Sequence, residues 1–337
     1  MTVYESVEAL LTKALGLGLD EISRAPMDKH SDSLSGSPFE RIEAGGQRYV
    51  LKHISRSLDW IMRALGDGLD GAPPWALILW RDGLLDALPP RLDHTVVGMS
   101  YADGLLTVLM RDVGSALVPP GSYRIPLEQH HRFVDHMAAM HAAFWSFTDG
   151  YGLMPLGARY AALNPAVGER EIAAGTVDPV PRMLPGGWAS LRSVAPEAYE
   201  PTLALATDPA PLVRALRETP ETFIHGDWKF GNLGSHPDGR TVLFDWAWPG
   251  QAGPCVDLAW YLAVNCDRLP ESKEDTALGL RRALERHGVS TTGWWERQLE
   301  LALVGAFCQL AWSKTGDPVE LGWWTGRVLP VARDLLR

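Results

Sequence analysis

Three oxygen-bearing side chains stand close together between Thr222 and Trp246: Asp227 in His225-Gly226-Asp227, Asn232 shortly after it, and Asp245 at the end of the apolar run Thr241 to Phe244. Phosphoryl transfer from a nucleotide asks for such groups. It needs a carboxylate to orient the attacking hydroxyl and accept its proton, and hard oxygen ligands to hold magnesium on the phosphates. Asp227 suits the first role. Asn232 and Asp245 suit the second, because magnesium takes one or two protein carboxylates and completes its shell with phosphate and water. Phe223 and Ile224 predict a short strand feeding a loop, and Pro237-Asp238-Gly239 predicts a turn before a second strand over 241–244. These two strands are expected to close a hairpin that brings the three side chains to one end. A plain hairpin with an Asx-turn at each end would also carry a His-Gly-Asp. The added Asn and second Asp separate this stretch from that reading.

His225-Gly226-Asp227-x-x-x-x-Asn232, followed by an apolar strand ending in Asp245, resembles the catalytic core of the aminoglycoside phosphotransferase and choline kinase group of small-molecule kinases. The resemblance is tight from His225 to Asp257 and loose elsewhere. It implies an α+β, two-lobed protein-kinase-like fold with a small, mainly antiparallel β lobe over residues 1–112, a hinge about 110–114, and a larger helical lobe over 113–337. ATP or GTP is the implied co-substrate, with Mg2+. Position by position, the resemblance implies Asp227 as the base, Asn232 and Asp245 as metal ligands, His225 as a buried organiser of the loop, and Lys229 as a contact of the transferred phosphate. Downstream, Gly250-Gln251-Ala252-Gly253-Pro254-Cys255-Val256-Asp257 resembles the segment that opens a helix in this group. Asp257 is expected there as helix N-cap and as the tie that holds the catalytic loop.

The upstream elements must supply the nucleotide's other contacts. Residues 3–15 carry apolar residues at helical spacing. Ser35-Gly36-Ser37 lies in a serine- and glycine-rich run before a hairpin; under the resemblance it is the loop over the phosphates, and by composition alone a linker. Lys52 interrupts the alternating strand Tyr49 to Ile54. It reads either as a solvated strand lysine or as the phosphate lysine of the Val-Ala-Ile-Lys type. The group orients that lysine with a glutamate on the next long helix, but the helix predicted over 75–88 has no carboxylate before Asp82. Asp59, ahead of Trp60-Ile61-Met62, ranks first among the alternatives, before Asp67 and Asp70. Strands are expected over 96–99 and 105–110, and the resemblance then places the adenine against Met110, Arg111 and Asp112. A helix follows over 127–147. From 149 to 220 prolines and glycines recur among short apolar pieces, which predicts an irregular insertion and a place to look for acceptor-binding groups. Helices are expected over 257–264, 273–287, 294–312 and 322–336.

The chain has 337 residues, 46% of them hydrophobic and 21% charged, enough for two cores and ordinary for a globular protein. A formal charge of −10 speaks against a nucleic-acid partner, which would require clustered Lys and Arg, and suits a cationic acceptor. No run is long enough to span a membrane, and residues 1–16 lack a signal-peptide pattern, so the cytoplasm is expected. Three cysteines show neither a disulfide framework nor zinc spacing. Asp245 is followed by Trp246-Ala247 and no Ala-Pro-Glu is present, which sets protein kinases aside. The leading acceptor is a hydroxyl of an aminoglycoside or related antibiotic; a choline- or ethanolamine-like alcohol, a sugar and a macrolide are the alternatives. A non-catalytic nucleotide-binding scaffold is the competing class. A metal-dependent hydrolase using His225 and Asp227 lacks a further ligand cluster in the sequence.

Overall fold

The computed structural model describes residues 1–27 and 35–337. The chain divides into two compact units, residues 1–120 with 231–247, and residues 121–230 with 248–337. The expected division near 112 thus falls a few residues before the observed one, and the expected scheme assigned 231–247 to the other body.

The first unit opens with β1 (Val3–Tyr4), α1 (Val7–Leu15), β2 (Ile22–Met27), β3 (Phe39–Ala44) and β4 (Gln47–Ile54). It continues through α2 (Trp60–Leu65), α3 (Trp75–Arg81), β5 (Leu92–Asp93), β6 (Val96–Ala102) and β7 (Leu105–Arg111). Among the described residues, six strands form one sheet in the order β1-β6-β7-β4-β3-β2, antiparallel except where β1 runs parallel to β6. The helix expected over 3–15 therefore begins later. Ser6 caps it, accepting from Ala9 N at 3.1 Å, and Val3–Tyr4 is spent on the sheet edge. Its apolar stripe buries Leu10 and Leu11 against Ile42, Leu51 and Leu109. Gly98 permits the close approach: a Cβ there would lie 2.7 Å from Leu10 Cδ1. The helix expected over 75–88 stops at Arg81, and Gly83 reverses the chain with φ 78°.

The second unit begins with α4 (Leu127–Ala143), which ends before the expected Phe147, and continues with α5 (Leu156–Ala161), α6 (Pro165–Ala173), α7 (Pro179–Val194), α8 (Pro196–Thr207) and α9 (Ala210–Arg217). The irregular insertion expected over 149–220 is therefore largely helical. Pro165, Pro179 and Pro196 each occupy the first position of a helix, where the missing N–H costs nothing and the fixed φ favours the turn. β8 (Thr222–Ile224) follows.

The chain then returns to the first unit for β9 (Leu233–Ser235) and β10 (Thr241–Leu243), and goes back to the second for β11 (Gly250–Ala252), α10 (Pro254–Val264), α11 (Lys273–Arg286), α12 (Trp295–Leu310) and α13 (Pro318–Leu335). The expected pairing of the strand at 223–224 with that at 241–244 does not form. β10 pairs with β9 through the Pro237-Asp238-Gly239 turn, while β8 pairs with β11, Phe223 opposite Gln251. β9 escaped notice because Gly234 sits in it. That glycine is required by close packing, since a Cβ would lie 2.6 Å from the Ala116 carbonyl oxygen. No helix among the described residues is long and apolar enough to cross a membrane.

Candidate active site

In the first unit, strand register gathers the site. Phe39, Lys52, Val108 and Met99 stand directly opposite one another across β3, β4, β7 and β6, so they share one face of the sheet. That face lines a cavity with Asp59, Asp67 and Asp245 on its other walls. Lys52 is 6% exposed, so it is a cavity residue and not a solvated strand lysine. Its ammonium lies 2.7 Å from Asp245 Oδ1 and 5.8 Å from the centroid of the Phe39 ring. Asp245 has φ 65°, in the left-handed region that Asp tolerates better than most residues. Phe244 N donates to the Asn232 carbonyl at 3.3 Å, which places Asn232 and Asp245 at the same open end of the β9–β10 hairpin.

Asp59 does not take the ion-pairing role expected of it. Its Oδ1 accepts from Ile61 N at 2.8 Å and Met62 N at 3.3 Å, capping α2, and its Oδ2 accepts from the Ser37 hydroxyl at 2.9 Å. With both oxygens engaged, it acts on Lys52 at longer electrostatic range. Burial pushes its carboxyl up, and the Lys52 charge draws it partly back. The Ser35-Gly36-Ser37 segment is thereby anchored at Ser37, which is fully buried, while Gly36 takes φ 90°. Asp67 accepts from Trp75 N at 2.9 Å at the start of α3, and burial pushes its carboxyl up to about 7. Of the expected adenine-gripping residues, Met110 lines the cavity. Arg111 pairs with Asp93, and Asp112 lies 3.5 Å from Arg48. Their amides donate to Thr95 O at 3.0 Å and Arg48 O at 3.1 Å, so these two N–H groups are engaged within the sheet.

In the second unit, Asp227 is 4% exposed and held on several sides. Trp260 Nε1 donates to its Oδ1 at 2.8 Å, Lys229 Nζ lies 3.0 Å from its Oδ2, and its own N–H donates to His225 Nδ1 at 3.1 Å. His225 therefore presents an unprotonated Nδ1 to the loop. Asp257 Oδ2 accepts from His225 N at 3.0 Å and Oδ1 from Gly226 N at 2.8 Å. Asp257 is not the cap of its own helix, since α10 starts at Pro254 with Gly253 in the cap position. It sits one turn in and reaches sideways to the loop. Burial pushes its carboxyl up, with His225 and Arg159 drawing it back. His141 Nε2 lies 3.7 Å from Asp257, its Nδ1 is 3.2 Å from Phe223 O, and burial pushes the imidazole down to about 4.

Three residues of this arrangement were not identified from sequence. Trp260 follows Asp257 on α10, and Asn265, which caps the C-terminal end of that helix, accepts from Phe230 N through its Oδ1 at 3.0 Å. Trp260 lies three residues after Asp257, on the same helix face, and that spacing was available as a signal; Asn265, at the C-terminal cap of α10, had none. Arg159 comes from α5, in a region without a readable pattern. It is fully buried and donates to the Gly226 carbonyl at 2.5 Å.

Asn232 and Asp245 offer hard oxygens suited to magnesium. Among the described residues no group of three His, Cys, Asp or Glu side chains is placed to hold a metal ion. A one-carboxylate, one-amide donor set fits a cation that draws its remaining ligands from phosphate and water.

The sheet-bearing and helical parts of the chain make up the fold of the protein-kinase-like small-molecule kinases. Among solved structures, a microcompartment-associated aminopropanol kinase matches with a TM-score of 0.51 at 16% identity, covering 94% of this chain and 93% of its own. The choline kinase LicA from Streptococcus pneumoniae matches at 0.49 and 14% identity over 96% and 98% of the two chains. The aminoglycoside phosphotransferase APH(4)-Ia, as a thermostable mutant, matches at 0.48 and 15% over 97% and 99%. No sequence-family model and no curated protein matches the chain.

Proposed function

We propose that this protein transfers the γ-phosphate of ATP or GTP to a hydroxyl of a small molecule. The observation that carries the reading is the pairing of Lys52 with Asp245 inside one cavity, with Asn232 at the same hairpin end. A lysine–aspartate pair in a partly buried place adds little to stability once desolvation is counted, so a binding role accounts for it better than a structural one. Lys52 is assigned to the nucleotide phosphates, and Ser35, Gly36 and Ser37 to the loop beside them. Asp245 and Asn232 are assigned to magnesium, which when bound would neutralise charge on the β- and γ-phosphates. Lys52, which pairs with Asp245 here, would be free to contact phosphate were Asp245 to hold the cation, and Asp59 acts on its ammonium at longer range. Asp227, its carboxylate aimed by Trp260, is assigned to orient the acceptor hydroxyl and take its proton, and Lys229 to the transferred phosphate.

An amino-bearing alcohol is the acceptor this reading favours, with an aminoglycoside or related antibiotic first and a choline- or ethanolamine-like alcohol, a sugar or a macrolide behind. The formal charge of −10 suits a cationic acceptor, and the aminopropanol kinase that shares the fold is named for an amino alcohol. The test is magnesium-dependent ADP release across a panel of these four acceptor classes. At least one class is expected to raise release at least about tenfold over the water rate, a difference of about 1.4 kcal/mol in barrier. Nucleotide binding with no acceptor or water turnover would favour the scaffold reading instead.

A further inference from the structure

The peptide that joins Gly226 to Asp227 is gripped from both sides. Its N–H donates to His225 Nδ1 at 3.1 Å, and its carbonyl accepts from Arg159 Nη1 at 2.5 Å. Arg159 has no solvent exposure, and burial of its charge pulls the guanidinium down. Its Nε and Nη2 make no hydrogen bond among the described residues. What the side chain has instead is two indoles, with the guanidinium carbon 5.4 Å from the Trp248 ring and 5.2 Å from the Trp260 ring. The two rings lie 5.8 Å apart, tilted by 31°. Asp257 and Asp227 are the carboxylates whose fields reach it.

A buried cation with two unsatisfied donor groups is costly to fold around. Packing alone would be served as well by an apolar side chain. Two connections of Arg159 lead to the loop: one to the carbonyl just before Asp227, one through the Trp260 ring, whose Nε1 donates to Asp227 Oδ1 at 2.8 Å. The planar guanidinium suits this place because it can lie against two indoles while one N–H stays in plane toward the carbonyl.

We infer that Arg159 is a positioning residue for Asp227, fixing the peptide ahead of it and clamping Trp260 so that the indole N–H aims the carboxylate. The kinetic part of this inference rests on the kinase reading above; the structural part does not. Two readouts separate them: the Trp260 indole N–H resonance, assigned by its loss in Trp260→Phe, and magnesium-dependent ADP release with the best acceptor or, without one, water. Arg159→Met is expected to shift the Trp260 resonance toward that of an indole lacking a carboxylate acceptor. It is also expected to lower kcat about 10- to 100-fold with the nucleotide KM within about 2-fold. Arg159→Lys, which keeps a donor and a charge and is the variant to rely on if Arg159→Met fails to fold, is expected to fall between Arg159→Met and wild type in both readouts. An unmoved Trp260 resonance in folded Arg159→Met overturns the inference whether or not ADP is released. A shifted resonance in a protein whose wild type releases no ADP upholds the positioning and counts against the kinase reading. A fall in kcat matched by an equal rise in nucleotide KM overturns the kinetic part.

Discussion

At the scale of single residues, the carboxylates of the first unit differ in what surrounds them. Asp245 meets a lysine, Asp59 caps a helix and holds Ser37, and Asp67 lies among apolar cavity walls with its carboxyl pushed up to about 7 from 3.8. For Asp67 the consequence is a pH dependence. Between about pH 4 and about pH 7 the folded protein retains a proton that the unfolded chain has released, so this contribution to stability is present at low pH and lost as pH rises through the window. Asp67→Asn keeps an acceptor for Trp75 N and removes the titration. Relative to wild type, its urea midpoint is expected to rise between about pH 4 and about pH 8, by an amount equivalent to at most about 4 kcal/mol. A midpoint difference that does not change with pH would contradict this. The residues singled out in the sequence were those whose signal is local: Asp227, Asn232 and Asp245 stand out by type and spacing. The partner of Lys52 did not, because Asp245 lies far along the chain from it and the capping duty of Asp59 depends on where α2 begins.

At the scale of elements, α10 does most of the organising of the second unit's loop. It presents Asp257 to two loop amides and Trp260 to Asp227, and its C-terminal cap, Asn265, accepts from Phe230 N. The loop fits under it because residue 226 is glycine. There φ is 81°, and a Cβ would lie 1.9 Å from the Trp248 carbonyl oxygen, so the backbone at residue 226 or 248 must move to admit any side chain. Gly226→Ala is therefore expected to cost about 2–4 kcal/mol in denaturant unfolding and to disturb Asp227 with it. A loss below about 0.5 kcal/mol would contradict that packing. Helices with uninterrupted apolar stripes, such as α4 and α12, were readable, with ends uncertain by a few residues. The helices over 156–217 were hidden because a proline that starts a helix and one that breaks it look alike until the partner packing is known. The strand pairing was misread for a related reason. Two apolar runs flanking a turn suggest a hairpin, whereas β10 found its partner in the short, glycine-bearing β9 and β8 found one in β11.

At the scale of the whole molecule, the sheet order β1-β6-β7-β4-β3-β2 and the helical second unit give the fold, and neither was visible as such in composition. The fold class came from the resemblance carried by a short catalytic stretch, and the strand register then explains why Lys52 faces the cavity rather than solvent. The proposed reaction divides labour between two aspartates, with Asp227 assigned to the acceptor and Asp245 to the metal–nucleotide. The most direct test is a single comparison of wild type, Asp227→Asn and Asp245→Asn for acceptor-dependent ADP release and magnesium–nucleotide affinity. Asp227→Asn is predicted to lose about 10²- to 10⁴-fold in kcat with affinity within about 2-fold, and Asp245→Asn to weaken affinity by at least about tenfold. An Asp227→Asn protein that turns over at the wild-type rate, or an Asp245→Asn protein that binds the magnesium–nucleotide as tightly as wild type, would contradict the account.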